Sequence, residues 1–491
     1  MGDSACLFHI QRPLSRDTIG KAKRDRIVMK RAALLLSAGL LSSCAAVGPD
    51  YRPPAASELA VPESYAGAPA ASSPAELGSW WQQLGDPMLD GLVARAVSDN
   101  LDLAVAASRL RQAREAEIQA RSNRLPTAGA SANVRRDLDS ERNDTTAFSL
   151  AGDASWEVDL FGGIARGIEA AGADAEGAYY DLAAVRVAVV GDVVTNYVQA
   201  RLAQQRLALA RETLAIADEN LEIAGWRVQA GLVSSLDVEQ ARASRAQTAA
   251  GIPQIEAAFS AAAFRLGVLT GQAPAALMEE LKASRPIPEA PDAVAVGIPA
   301  DTLRQRPDVR GAERTLAAQT ARIGVAEAQL YPALRIGGNI GTSALSVGGL
   351  VDQVVGSLFG GLTQTLFDGG RLRSQVRSQE AAAEGALASY RQTVLNALED
   401  VENGLVSLEA AKRRRAEFVI AQEAATNQAI LARSQYRAGL TDFLTLLDAE
   451  RSLLSAREGL LSSQADQTLS FVQLYRALGG GWDPLTVPQR S

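Results

Sequence analysis

The sequence predicts a mixed α and β membrane protein made of one unit written twice, with long helices supplying most of each unit and a few strands the rest. Three observations predict it. Residues 175 to 242 overlay residues 383 to 450 without a gap, Ala175-Glu176-Gly177-Ala178 recurring as Ala383-Glu384-Gly385-Ala386 and Ala230-Gly231-Leu232 as Ala438-Gly439-Leu440. No proline falls between Pro126 and Pro253 or between Pro332 and Pro484, so helices there meet no breaker. In Phe148, Leu150, Gly152, Ala154, Trp156, Val158 and Leu160 every second residue is apolar or small, while Ser149, Asp153, Ser155, Glu157 and Asp159 hold the other face.

The two copies are offset by 208 residues in the first stretch and by 206 upstream of it. There Asp102, Leu110, Ala120 and Pro126 align with Asp308, Leu316, Ala326 and Pro332, and Leu160-Phe161 aligns with Leu366-Phe367. A period this long is not a solenoid of roughly 20 to 50 residues; it is a duplicated subdomain. Residues 80–287 form the first repeat, 288–482 the second, and 483–491 a C-terminal tail.

Residues 1–43 read as a lipoprotein signal that is removed. Met29-Lys30-Arg31 gives a basic start, residues 32 to 41 an apolar run too short to span a bilayer, and Leu41-Ser42-Ser43-Cys44 a small-residue cleavage site ending in cysteine. Cys44 becomes the acylated N-terminus, with diacylglycerol on sulfur and a further palmitate-like chain on the amine. Ala45 after it, in place of aspartate, directs sorting to the outer membrane. Residues 44–79 are then the lipid anchor and a Pro/Ala-rich tether that opens with Gly48-Pro49-Asp50-Tyr51-Arg52-Pro53-Pro54.

Removal of the signal takes away Cys6 and His9, leaving one cysteine, consumed by lipid, and no histidine. Disulfide frameworks, zinc clusters, cysteine nucleophiles and histidine relays are excluded, and no phosphate loop or nucleophile–base motif appears, so no enzyme and no cofactor is expected. The segment carries eight Lys/Arg against three Asp, so its loss moves the net charge from −7 to −12, against nucleic-acid binding.

Within the first repeat, four spans matter. The alternating residues 148 to 160 predict one strand and residues 127 to 136 another, around a turn-rich loop at 137 to 143. Period two with acids on one side describes a strand with lipid outside and water inside; a half-buried strand of a soluble sheet would look similar. A helix of some 67 residues follows from Gly163 to about Gln229, roughly 100 Å at 1.5 Å per residue, with a heptad seam at Leu207, Ala210, Leu214, Ala217, Leu221, Ala224 and Val228. Ala230-Gly231-Leu232 ends it, glycine at the left-handed cap, and a return helix runs over 236 to 269. The second repeat predicts strands over 333 to 342 and 354 to 367 around a loop at 341 to 351. Its helices span 370 to 437 and 443 to 478, the seam at Leu405, Leu408 and Phe418 interrupted by Arg415.

Four strands cannot close a membrane barrel, and lipid cannot satisfy open strand edges. Other copies of the chain must complete the sheet, and three protomers give twelve strands.

Several stretches together resemble the outer-membrane factor family, the TolC-like channels, and within it the lipoprotein NodT/OprM-type branch. They are Cys44 with Gly48-Pro49-Asp50-Tyr51-Arg52-Pro53, Trp80-Trp81 with Asp86-Pro87, Asn100-Leu101-Asp102-Leu103, Leu366-Phe367-Asp368-Gly369-Gly370, and Tyr436-Arg437-Ala438-Gly439 followed by Leu444 and Leu446-Leu447-Asp448-Ala449-Glu450-Arg451. The resemblance implies a homotrimer, a twelve-stranded outer-membrane barrel continuing into a long α-helical barrel across the periplasm. It implies that the helix turns, with Gly231, Leu232, Leu236, Gly439, Leu440 and Leu444, dock a periplasmic adaptor protein, although glycine as a mere helix cap explains those turns equally well. It also implies a periplasmic gate at Asp448 and Arg451, joined by Tyr436 and Asp237, although a solvated ion pair would account for Asp448 and Arg451 as well. The chain departs from TolC itself at Thr441 and Thr445, where that protein has an arginine and a ring aspartate. Asp237 aligns with Thr445 and Ala243 with Arg451, which places the gate in the second copy.

The expected function is an exit duct for a tripartite pump, taking drugs or other small molecules from an inner-membrane transporter of the RND type. The strand acids Asp153, Glu157 and Asp159 would give its lumen a cation-favouring potential. A type I protein-secretion duct would use the same shell. A non-pore coiled-coil lipoprotein would leave the alternating strands unexplained.

Overall fold

The computed structural model describes residues 46–66, 77–138, 144–291, 294 and 299–482 of the 491. The signal segment, Cys44, the middle of the tether, most of the loop at 137 to 143 and the C-terminal tail lie outside the described residues. Two compact units make up the chain. One comprises residues 1–50, 120–169 and 321–380, the other 51–119, 170–320 and 381–491. Compactness cuts across the duplication: the strands of both repeats share one unit.

In chain order the helices are α1 (Pro87–Asp99), α2 (Leu101–Ser122), α3 (Gly163–Gln229), α4 (Ser235–Leu269), α5 (Met278–Leu281), α6 (Pro299–Gln305), α7 (Pro307–Ala328), α8 (Arg371–Arg437) and α9 (Phe443–Ala477). The duplication is exact in length. α3 and α8 each have 67 residues, α4 and α9 each 35. α4 runs unbroken through Pro253, in a stretch with no buried residue from 242 to 261. Among the described residues no helix is long and apolar enough to cross a membrane.

The strand unit holds one antiparallel sheet in the order β1 (Thr127–Asp137), β2 (Thr145–Val158), β3 (Ala333–Ala344), β4 (Val355–Thr363). Among the described residues each strand pairs only with its sequence neighbours, leaving β1 and β4 as edges. Two predicted strands end early. β2 stops at Val158 because Leu160 N–H turns back to Val158 O (2.9 Å), and β4 stops at Thr363, four residues short of Phe367. The change of offset from 206 to 208 falls at the strand-to-helix junction. One residue, Gly162, separates Phe161 from α3, whereas Asp368, Gly369 and Gly370 separate Phe367 from α8.

The helical unit is built on caps and one aromatic core. Asp86 accepts from Met88 N–H (2.9 Å) to start α1, and Asn100 accepts from Asp102 and Leu103 N–H (2.9 and 3.1 Å) to start α2. Trp80, 1% exposed, stacks on Tyr475 at 5.3 Å and meets Phe471 edge-on. The seam of α3 is only partly enclosed within one protomer: Ala217 and Ala224 are buried, Leu207, Leu214 and Leu221 half-buried. Arg415, which interrupts the seam of α8, binds Gln467 (3.2 Å) and Glu289 (2.8 Å).

Candidate functional site

Pairing register sorts the sheet into two faces. Val158, Trp156, Ala154 and Leu150 of β2 share a face with Leu334, Ile336 and Ile340 of β3, with Leu358 and Leu362 of β4 and with Val134 of β1. Within one protomer most of these apolar side chains are exposed: Leu358 is 85% and Leu362 65% open. A soluble sheet would bury such a face, whereas lipid covers it at no cost. The opposite face carries Ser131, Asn133, Ser149, Asp153, Ser155, Glu157, Arg335, Asn339 and Ser357.

The three predicted strand acids part company. Asp153 lies on the polar face between Gly129 and Asn339, with no ion pair among the described residues. Glu157 lies on it too but is bridged by Arg335 (3.1 Å), its register partner on β3, which compensates the charge. Asp159 sits beyond the end of β2 and accepts from Ala165 N–H (2.8 Å), satisfying an orphan donor in the first turn of α3. It is a helix cap, because alternation in the sequence runs on past the last paired residue. Phe359 also lies on the polar face, its ring over Gly337, where an added Cβ would come within 2.6 Å of Phe359 Cζ.

Beside the sheet, the first described residues of the tether are seated. Val47 N–H donates to Phe161 O (3.0 Å). Arg166, 6% exposed, donates to Val47 O and Gly48 O (3.2 Å each), Asp50 (2.6 Å) and Glu169 (2.8 Å). Gly48, at φ +90°, packs so closely that a Cβ would stand 2.4 Å from Gly324 Cα. Chain entering after Cys44 is therefore held from its third residue on, by a nearly buried guanidinium that makes three hydrogen bonds to it and one to Glu169.

In the helical unit the two turns share one backbone. Gly231 (φ 71°) and Gly439 (φ 75°) follow the helix ends, Leu232 and Leu440 N–H reach back to Arg227 O and Gln435 O (2.9 Å each), and this is the Schellman arrangement. Ser234 and Asp442, again 208 apart, cap the return helices through Leu236 N–H (3.2 Å) and Thr445 N–H (2.8 Å). Hydrogen bonds from the Thr445 hydroxyl and N–H hold the Asp442 carboxyl below its usual range. Leu232, Leu236, Leu440 and Leu444 are 68%, 61%, 78% and 49% exposed. Each turn thus presents two leucines to solvent. Asp237 stands in the first turn of α4, favourable to the helix dipole.

The predicted gate residues fall into two groups. Asp448 and Arg451 pair at 3.6 Å on one face of α9, 63% and 57% exposed, a weak tie within a protomer. Tyr436 is 2% exposed, 5.5 Å from Phe443, and lies under Arg227, whose guanidinium stands 4.4 Å above the ring and donates to Tyr436 O (3.1 Å). Sequence reasoning missed a carboxylate that ties the two helix pairs together. Glu450 accepts from Asn220 (2.6 Å) and Arg433 (3.1 Å), so α3, α8 and α9 meet at one carboxylate, which burial pushes above the usual range. Its glutamate was visible in the motif, but Asn220 is 230 residues away and carries no signal.

The chain matches the family described as outer membrane efflux protein twice, at residues 92–272 and 298–480, one match per repeat. It is 34% identical over 469 residues to nodulation protein T of Rhizobium leguminosarum bv. trifolii, covering 91% of this chain and 96% of the relative. It is 32% identical to the pyoverdine export outer membrane protein OpmQ of Pseudomonas putida, over 82% and 88% of the two chains. Among solved structures, the outer-membrane channel OprN superposes with a TM-score of 0.82 at 36% identity, over 89% of this chain and all of that one.

Proposed function

The chain belongs to the outer membrane efflux protein family, and on that premise we propose that three copies form the exit duct of a tripartite pump, closing twelve strands into one outer-membrane barrel. The observation that carries this is the sheet: one apolar exposed face, one polar face and two unpaired edges. Backbone groups on an open edge have no partner in hydrocarbon, and only closure supplies one. The seated tether supports lipid attachment at Cys44, and the exposed leucines at both glycine turns support docking of an adaptor's helices there. An RND-type inner-membrane transporter would supply the energy, and small molecules are the favoured cargo, since OpmQ is a pyoverdine exporter. The duct works as a passage with no catalytic step and no cofactor besides lipid.

Purified protein should run as a heat-modifiable trimer and conduct in planar bilayers; a chain that gives no channel overturns the proposal. Cys44→Ser should abolish palmitate labelling, and continued labelling would sink lipid attachment while leaving the channel reading intact. Deleting the gene and profiling susceptibility to antibiotics, dyes, solvents and metals would identify the cargo.

A further inference from the structure

The internal duplication, taken with closure of the barrel, constrains how one protomer's sheet joins the next. In every antiparallel pair the two residue numbers add to a constant: 282 for β1 with β2 (Thr127 opposite Ser155), 492 for β2 with β3 (Val158 opposite Leu334), 696 for β3 with β4 (Ala333 opposite Thr363). The β2–β3 seam joins the end of the first repeat's hairpin to the start of the second's. Its pseudo-equivalent is the seam between β4 of one protomer and β1 of the next. All of β1 and β4 is exposed in the single chain, as unpaired edges must be.

We infer that β4 pairs antiparallel with β1 of a second copy of this chain in the register whose residue numbers again add to 492. Thus Leu358 meets Val134 of the partner subunit, and Phe359 meets the partner's Asn133. This rests on the trimer proposed above.

Two independent arguments select that register. The first is the offset of 206, which relates β1 to β3 at their starts (Thr127 and Ala333 after Pro126 and Pro332) and Leu160-Phe161 to Leu366-Phe367. Adding 206 to one strand and subtracting it from the other leaves 492 unchanged. The two hairpins, however, differ in register by two residues more than this offset gives, which leaves 494 as the competitor.

Closure decides between them. Stepping straight across the sheet from Thr127 leads to Ser155, Gly337 and Phe359, and a sum of 492 leads on to the partner's Asn133, six residues further along β1. Three protomers then accumulate a stagger of 18 residues, about 60 Å along the strands against about 58 Å across twelve of them, so the strands tilt by about 46°. That agrees with the roughly 45° of membrane strands. A sum of 494 gives 24 residues and a tilt of about 54°, too steep. A sum of 490 needs the offset from β2 to β4 to fall two short of that from β1 to β3, whereas Leu160-Phe161 with Leu366-Phe367 and Pro126 with Pro332 give 206 for both.

Side chains support the same register. Pairs adding to 492 keep apolar with apolar (Leu358 with Val134) and polar-face residues together (Ser357 with Arg135). Where Phe161 stacks on Tyr331 at 4.7 Å in the internal seam, the numbers add to 492. Their equivalents, Phe367 and Leu125, are 91% and 65% exposed in one protomer, and the new seam brings them together.

The test is oxidative cross-linking of paired cysteines in full-length, acylated protein, whose native Cys44 is capped. Leu358→Cys with Val134→Cys, and Ser357→Cys with Arg135→Cys, should each give covalent dimers and trimers that reducing agent dissolves. Two adjacent pairs are needed because only one of them is a non-hydrogen-bonded site, where disulfides form readily. Leu358→Cys with Ala132→Cys, or with Arg136→Cys, should cross-link several-fold less. Stronger cross-linking in either displaced pair overturns the register, as does its absence from all four pairs in variants that still run as heat-modifiable trimers. A wild-type chain that runs as a monomer overturns the trimer itself.

Discussion

The two helix turns have the same backbone and different surroundings. Gly231 and Gly439, their Schellman hydrogen bonds and the caps Ser234 and Asp442 correspond residue for residue. Yet a Cβ at Gly231 would meet open space, whereas one at Gly439 would stand 3.7 Å from Arg227. The cause lies in two substitutions between the copies. Tyr436 and Phe443 stand where the first copy has Val228 and Ser235, and with Ala432, Leu446, Leu447 and Ala449 they build a small core to which the first copy adds the buried Ala224 and Ala241 and the partly buried Leu221, Ile223 and Val238. Duplication preserved the turn; divergence gave one copy an anchor. The second turn is the fixed point within a protomer, and the first is held onto it by Arg227.

The sharpest break of that comparison is removal of the anchor. Phe443→Ala should destabilise the turn region by about 3–5 kcal/mol, as expected for a buried aromatic, read as faster hydrogen exchange over residues 432–449. Ser235→Ala, its counterpart, should stay within about 0.5 kcal/mol. Equal losses at both positions would erase the asymmetry. Next in size is Arg227→Ala, which removes a hydrogen bond and a ring contact together, about 1–3 kcal/mol. It should raise closed-state conductance in planar bilayers by loosening α3 from Tyr436, and an unchanged current would place the restraint elsewhere.

What the sequence made legible follows from the range of each interaction. Helix lengths and turn positions were readable because glycine at a left-handed cap, and freedom from proline, are local signals. Two of the distinctive stretches are structural: Trp80 fills the core, and Asp86 and Asn100 cap helices. Asp159 was misread because a period of two cannot tell a strand residue from a cap just beyond it. Arg335 was missed because its partner Glu157 lies 178 residues away, and Arg227 because Tyr436 O lies 209 away. Such pairs become visible only when the fold brings them into register.

Gly439→Asp asks whether the shared backbone or the differing surroundings matter for docking. A non-glycine residue at φ 75° costs about 1–2 kcal/mol, too little to prevent assembly. Pump function should nonetheless be lost, since the charge sits between Leu440 and the Tyr436 core. Trimers that assemble and confer full resistance would count against docking at this turn. Gly231→Asp imposes the same strain in open space, so a difference between the two variants measures the surroundings alone.

The smallest effect belongs to Asp448 and Arg451. An exposed i, i+3 pair at 3.6 Å contributes under about 1 kcal/mol, so replacing both with Ala should leave the thermal midpoint nearly unmoved. Their exposure in a single protomer leaves both charges available to other copies, so the same variant should raise closed-state current. The combination separates two restraints: Arg227→Ala lowers stability and raises current, the double variant raises current only. A double variant with wild-type current would leave the gate to the ties that join the helix pairs within each protomer, Glu450 with Asn220 and Arg227 with Tyr436.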